Sequence, residues 1–250
     1  MRVRLALLAS GIAACLACAP RAGEVRSVVL GQGRLDMVYV PAGEFVMGSL
    51  SGWEDERPAR RVRITQGFWL GRTEVTQGLW MAVMGSNPAD FDRGDDFPVE
   101  QVSWNDCQEF VLRLARLTGR DFRLPSEAEW EYACRAGSAE DRPQDLDAVA
   151  WHAGNSGGST HAVGLKRANS LGLHDMLGNV WEWCADGYDP AFYSRSPRED
   201  PIAPASGIHR VDRGGGWCHG ADIVRPSRRD GSGADYRVNL IGVRLAASRL

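Results

Sequence analysis

Beyond Gly137 the sequence shows no sustained apolar period. Stretches rich in Gly, Ser, Asn and Asp are broken by Trp151, the Trp181-Glu182-Trp183 cluster and Trp217. Without helical or strand spacing over such a length, that half cannot bury itself through amphipathic elements, so large aromatics must organise it. The nine tryptophans and 29 glycines of the 250-residue chain fit this requirement, because each indole brings a large apolar area and glycine permits tight irregular turns around it. Loops this long are uncommon unless they are functional or held by disulfides or bound ions. The expected fold class is α+β, irregular and loop-rich, in one domain over 35–250.

The first half is more regular. Met37 to Val40 and Glu44 to Met47 read as two short strands around a Pro41-Ala42-Gly43 turn, and Val62 to Ile64 with Phe68 to Leu70 as another strand pair. Thr76 is positioned to cap a helix running to Met84 and ended by Gly85. Ser103 starts a second helix, in which Trp104, Cys107, Phe110, Val111, Leu114 and Leu117 share one face before Gly119. Ser126 and Glu129 form an S-x-x-E capping box for a third, followed by Gly137. The intervening segment, Ser51 to Arg60, is charged and loop-like.

The N-terminus reads as a targeting segment over 1–19, with Arg2 and Arg4 before an apolar run from Leu5 to Ala19, followed by a polar leader over 20–34. Two processing sites compete there: Ile12-Ala13-Ala14-Cys15 resembles a bacterial lipobox, and Ala17-Cys18-Ala19 fits ordinary cleavage. Both imply export, to the periplasm or the outer membrane and cell surface, with the membrane reached only through a lipid anchor on Cys15. Export would let Cys107, Cys134, Cys184 and Cys218 form two bridges, and spacing favours Cys107 with Cys134 and Cys184 with Cys218 among three pairings. A net charge of −3 and a single lysine, Lys166, exclude a phosphate-tracking surface, so no nucleic acid partner is expected.

Six ordered motifs carry a resemblance: Phe45-Val46-Met47-Gly48, Thr73-Glu74-Val75-Thr76, Pro98 to Trp104, Arg123 to Ala133, Gly178 to Trp183, and Arg213 to Trp217. Together they resemble the formylglycine-generating-enzyme (sulfatase-modifying factor) family over nearly the whole chain after the N-terminal segment. The resemblance implies a compact α+β fold with little regular secondary structure, related to the C-type lectin fold. It does not fix the activity, since the superfamily is similar in fold to both oxidases and non-enzymatic binding proteins.

In the oxidases, the resemblance implies two cysteines five positions apart after the Arg-Gly-Gly motif, holding a soft copper ion. Here Cys218 is followed five positions later by Ile223, and no later cysteine exists, so a two-thiolate copper site is not expected. Cys218 beside His219 remains the candidate reactive thiol or metal ligand if the chain is an enzyme, and a disulfide to Cys184 is its blander role. His152, His161, His174 and His209 fall into no metal-binding spacing. The family's structural calcium would carry over onto Asn179 and Glu182, with Asn155 in a second site; the competing reading has Asn179 hold a turn and Glu182 pair with an arginine.

From Cys218 to Leu250 there is no Lys, Glu, Gln, Met or Trp, although the whole chain carries 35 such residues; proportion alone would place about four or five there. This bias resembles the variable proteins of diversity-generating retroelements, which display a C-terminal lectin-like face. The ligand-contacting positions implied are His219, Gly220, Ile223, Arg228, Asp230, Ser232, Tyr236, Val238, Asn239 and Leu240. Arg225, Arg237, Gly242 and Arg244 are expected to be their frame. The resulting expectation is an exported binder of an unknown protein or small molecule; the alternative is an oxygen-dependent oxidoreductase.

Overall fold

The computed structural model describes residues 19–31 and 33–250. The targeting segment with its candidate processing sites at Cys15 and Ala19 lies outside them but for Ala19. Among the described residues, no helix is long and apolar enough to cross a membrane.

Strands β1 (Val25–Leu30), β2 (Gly33–Val40), β5 (Phe68–Gly71), β11 (Ala246–Ala247) and β6 (Phe122–Arg123) form an antiparallel five-stranded sheet in that order. The polar leader expected over 20–34 therefore contains a whole strand. In β2, Leu35 and Met37 enter one core while Val38 and Val40 enter another. Alternation thus feeds two cores, because both faces of the sheet are covered. The first core packs helices α1 (Gln77–Met84) and α2 (Trp104–Thr118) against the sheet, with Trp80 stacked on Phe110 at 4.7 Å. The second packs α3 (Glu127–Arg135) through Trp130, Ala133 and Cys134.

The helix ends follow from local chemistry. Thr76 Oγ1 accepts from Leu79 N at 3.2 Å, and Gly85 closes α1 at φ 82°. Ser103 and Asp106 cap each other at the start of α2, as Ser126 and Glu129 do for α3. Leu117, expected on the buried stripe, is 55% exposed: it lies nearly in line with the buried Phe110 but one residue before α2 ends at Thr118. A single-turn α4 (Leu146–Val149) was not read from the sequence.

The strand pairings differ from expectation. The Pro41–Gly43 turn does not close a hairpin: β3 (Gly43–Met47) leaves the main sheet and pairs with β4 (Arg60–Ile64), while β2 pairs with β1 and β5. A third sheet, in the order β10 (Ile241–Gly242), β7 (Trp181–Gly187), β8 (His209–Arg213) and β9 (Arg229–Gly233), carries the C-terminal half.

The expected pairs Cys107–Cys134 and Cys184–Cys218 are not formed: the four cysteines among the described residues are all free thiols. Cys107 belongs to the first core and Cys134 to the second. Cys184 is buried in β7, whereas Cys218 is exposed. The long loops are held by other means. Trp151 stacks on His161 at 3.7 Å with Lys166 Nζ 3.9 Å from the same ring, and Asn169 Nδ2 donates to Ala133 O at 2.8 Å.

Buried ion pairs knit residues 213–244 to the rest of the fold. Arg213 meets Glu131, Arg229 chelates Glu127 at 2.6 and 2.8 Å, Arg225 chelates Glu56, and Arg244 chelates Glu182. Each guanidinium also reaches backbone carbonyls or a hydroxyl, which such pairs need to offset their desolvation.

Candidate functional site

The chain after β8 turns back through Gly214 (φ 102°) and Gly215 (φ 78°). At Gly215 a Cβ would stand 3.0 Å from Val224 Cγ2, so this reversal requires glycine. Trp217 then anchors the loop. Its Nε1 donates to Asn239 O at 3.0 Å, its backbone N donates to Asn179 O at 2.8 Å, and its carbonyl accepts from Ser156 Oγ at 2.8 Å.

Residues 234–240 are strapped to the start of α2. Asn105 N donates to Ala234 O, Gln101 N donates to Val238 O, and Arg237 grips Asp106 at 2.7 and 2.8 Å. The expected frame residues act as a frame: Arg225 and Arg244 are buried in the ion pairs above, and a Cβ on Gly242 would meet Val99 O at 2.4 Å. Between these anchors the expected ligand-contacting residues do share one C-terminal region, but unequally. Gly220, Asp230 and Tyr236 are exposed, while His219, Ser232 and Asn239 are half-buried. Ile223, Val238 and Leu240 lean onto the first core and offer only part of their surface.

Arg228 differs from expectation. It is buried, with its guanidinium 4.4 Å over the Trp53 ring and 3.7 and 3.6 Å from Asp55 Oδ2 and Asp230 Oδ2. Trp53 is itself 53% exposed. It precedes the 3-10 turn Glu54–Glu56 in the segment read from sequence only as a charged loop. The face therefore has a second wall that sequence reasoning missed; its one signal was a tryptophan among charged residues, an amphipathic ring where solvated side chains were expected.

Cys218 Sγ lies 3.7 Å from His219 Nδ1, and the imidazole sits edge-on to Trp181 at 5.6 Å. Burial pushes the Cys218 thiol above its ordinary range and pulls His219 below its own. Both groups are therefore held neutral at neutral pH, the reverse of a thiolate activated by a cation.

The residues expected to hold calcium are each hydrogen-bonded to other protein groups. Both oxygens of Glu182 are engaged, by Arg244 at 2.7 to 3.0 Å and by Trp130 Nε1 at 2.6 Å. Asn179, in the left-handed region at φ 56°, accepts from His161 N and donates to Glu74 Oε1 and His161 O. Asn155 accepts from His152 N and donates to Asp147 and Ala150. No group of three or more His, Cys, Asp and Glu among the described residues is arranged to hold a metal ion.

Beneath the face, Asp212 on β8 sits opposite Asp230 on β9. Burial, then the Asp230 charge, pushes it up to about 8, and its Oδ2 has no partner among the described residues. The folded value stands above the unfolded 3.8. Its contribution to stability is thus full below about pH 4 and is lost as pH climbs through about 8. Asp212→Asn is expected to be more stable than the parent at pH 8 by about 1–3 kcal/mol and no more stable at pH 4. Urea unfolding at the two pH values checks this; an equal effect at both would mean Asp212 is ionised throughout.

The model of the sulfatase-modifying factor enzyme 1-like domain, FGE-sulfatase, matches residues 30–249. The formylglycine-generating enzyme of Streptomyces coelicolor is 34% identical across 72% of this chain and 60% of its own length. The chaperone protein LppX of Paenibacillus barcinonensis is 30% identical across 79% of this chain and 85% of its own. Among solved structures, Treponema denticola variable protein 1 superposes with a TM-score of 0.83 and 28% identity, covering 90% of this chain and 99% of that one. These likenesses agree with the loop-rich, C-type-lectin-related α+β fold expected from the motifs.

Proposed function

The chain belongs to the sulfatase-modifying factor (FGE-sulfatase) family, and from that premise we propose that it is an exported ligand-binding member, presenting residues 218–240 to a protein or small-molecule ligand. The observation that carries this reading is the thiol inventory of the face. Cys218 is the only cysteine after the Arg-Gly-Gly motif, and the other three described cysteines are buried in β7 or in the two cores. Copper held by paired thiolates has no second ligand there, so oxygen activation of that kind has no seat.

What supports a recognition role is the mixture on a fixed frame. Gly220, Asp230, Ser232, Tyr236 and Asn239 offer small, polar and aromatic chemistry, and the strapped loops between them cost little ordering on binding. Trp53 over Arg228 adds a rigid aromatic wall. The likeness to a Treponema variable protein favours a retroelement-diversified face, and a near-repeat of the 218–240 coding sequence beside a reverse-transcriptase gene would establish it.

A second reading, an oxygen-dependent oxidoreductase, draws on Cys218 beside His219. The two separate in one set of assays on the purified chain. We expect no stoichiometric copper and no aldehyde on a sulfatase-type cysteine peptide. We also expect Cys218→Ser to retain ligand binding, while Trp53→Ala weakens it about tenfold or more. Copper-dependent aldehyde formation lost in Cys218→Ser would overturn the proposal. Absence of both turnover and any binding partner would leave a structural envelope role instead.

A further inference from the structure

A cavity of about 580 Å³ lies away from residues 218–240 except where Pro226 touches it. It opens between the end of α3, the 138–145 loop and the segment from Arg167 to Leu177. Its volume falls within the range of cavities that enclose small molecules. Leu173, Met176 and Leu177, all buried, give it an apolar lining.

The charged groups around it are of two kinds. Arg135 is committed to Glu131 at 2.8 Å and to Gly48 O at 3.0 Å. Glu140 Oε1 accepts from Gln144 Nε2, and Asp145 Oδ1 accepts from Ala148 N to cap α4, so both acids are turned to local partners. Arg142 and Arg167 are exposed on the same lining, and neither guanidinium has an acidic partner among the described residues. Two uncommitted planar forks beside an apolar wall match a carboxylate joined to a hydrocarbon or aryl body. Asp175 also lines the cavity; burial raises its carboxyl above the ordinary range, which weakens its repulsion of a bound anion.

We propose that this cavity binds a small amphipathic carboxylate, its head group on Arg142 and Arg167 and its apolar body against Leu173, Met176 and Leu177. This site meets the 218–240 segment only at Pro226 and stands whether or not that face binds a ligand.

The test uses the full chain and three isosteric probes followed by calorimetric titration: 4-phenylbutyrate, 4-phenylbutanol and 4-phenylbutylamine. The carboxylate is expected to bind saturably and at least about tenfold more tightly than the amine. Arg142→Ala with Arg167→Ala should remove about tenfold or more of the carboxylate affinity and leave the alcohol unchanged. Ser170→Trp, at an exposed position on the lining, should abolish binding of both. Trp53→Ala should change neither, which keeps this result distinct from the fate of the C-terminal face. Thermal midpoints of the variants confirm folding. Equal binding of the amine, carboxylate affinity that survives the double substitution, or no saturable binding of the carboxylate would each overturn the proposal.

Discussion

Arg213→Met is expected to destabilise the protein by about 3–5 kcal/mol, the scale on which one partner of a buried ion pair is missed. Arg213 is fully buried and donates to Glu131 and to the carbonyls of Pro226, Ser227 and Arg228, with Glu127 3.7 Å away. Methionine fills much of the space over Trp130 but supplies no donor. It would leave three buried carbonyls without the Arg213 donor and Arg135 and Arg229 as the remaining cations beside the two glutamates. In a chain of this size the thermal midpoint should fall on the order of 10 °C. Arg113→Met, which removes the exposed pair with Glu109 on α2, should change stability by no more than about 0.5 kcal/mol. Urea unfolding of the two variants decides the matter; a loss below about 1 kcal/mol at Arg213 would mean the network contributes register rather than stability.

The second large effect is expected at Gly178, where the Gly-Asn-Val-Trp-Glu-Trp motif enters β7. Its φ is 77°, and an added Cβ would lie 2.1 Å from the carbonyl oxygen of Trp151, which already accepts from Asn179 N at 2.8 Å. Neither atom can move without breaking the Trp151 to Gly178 bridge. Gly178→Ala should therefore cost more than about 3 kcal/mol, above the roughly 1 kcal/mol that a left-handed backbone alone demands. Gly85→Ala provides the comparison, since Gly85 has a similar φ of 82° with open space around it. If the two variants unfold at the same urea concentration, the close approach to Trp151 is wrong. Because Asn179 O holds the backbone of Trp217, Gly178→Ala should also weaken binding at the C-terminal face.

Local chemistry was readable before the structure. Thr76, Ser103 and Ser126 cap the helices they were expected to cap, since a cap and its partner lie within one turn of each other. Pairings between distant segments were not. Nothing in Pro41–Gly43 reveals that β3 deserts β2 for β4, and the two-residue strands β6, β10 and β11 are too short to carry any period. The cysteines failed for a related reason: spacing along the chain says nothing about which core a thiol faces, and Cys107 and Cys134 face different ones. At the candidate site the motif glycines, Trp217 and the frame arginines were legible from the family resemblance. Trp53 was not, because its partner Arg228 comes from the other end of the sequence.

The position of β11 bears on how the molecule is made. Ala246 and Ala247 fill the gap between β5 and β6, so the largest sheet stays split until residue 247 has been synthesised and delivered. A chain still threading through a ribosome would lack the wedge that joins its halves, and contacts of such long sequence separation form late. The seam of this sheet is thus closed by the last strand to emerge, which makes the final few residues a keystone rather than a tail.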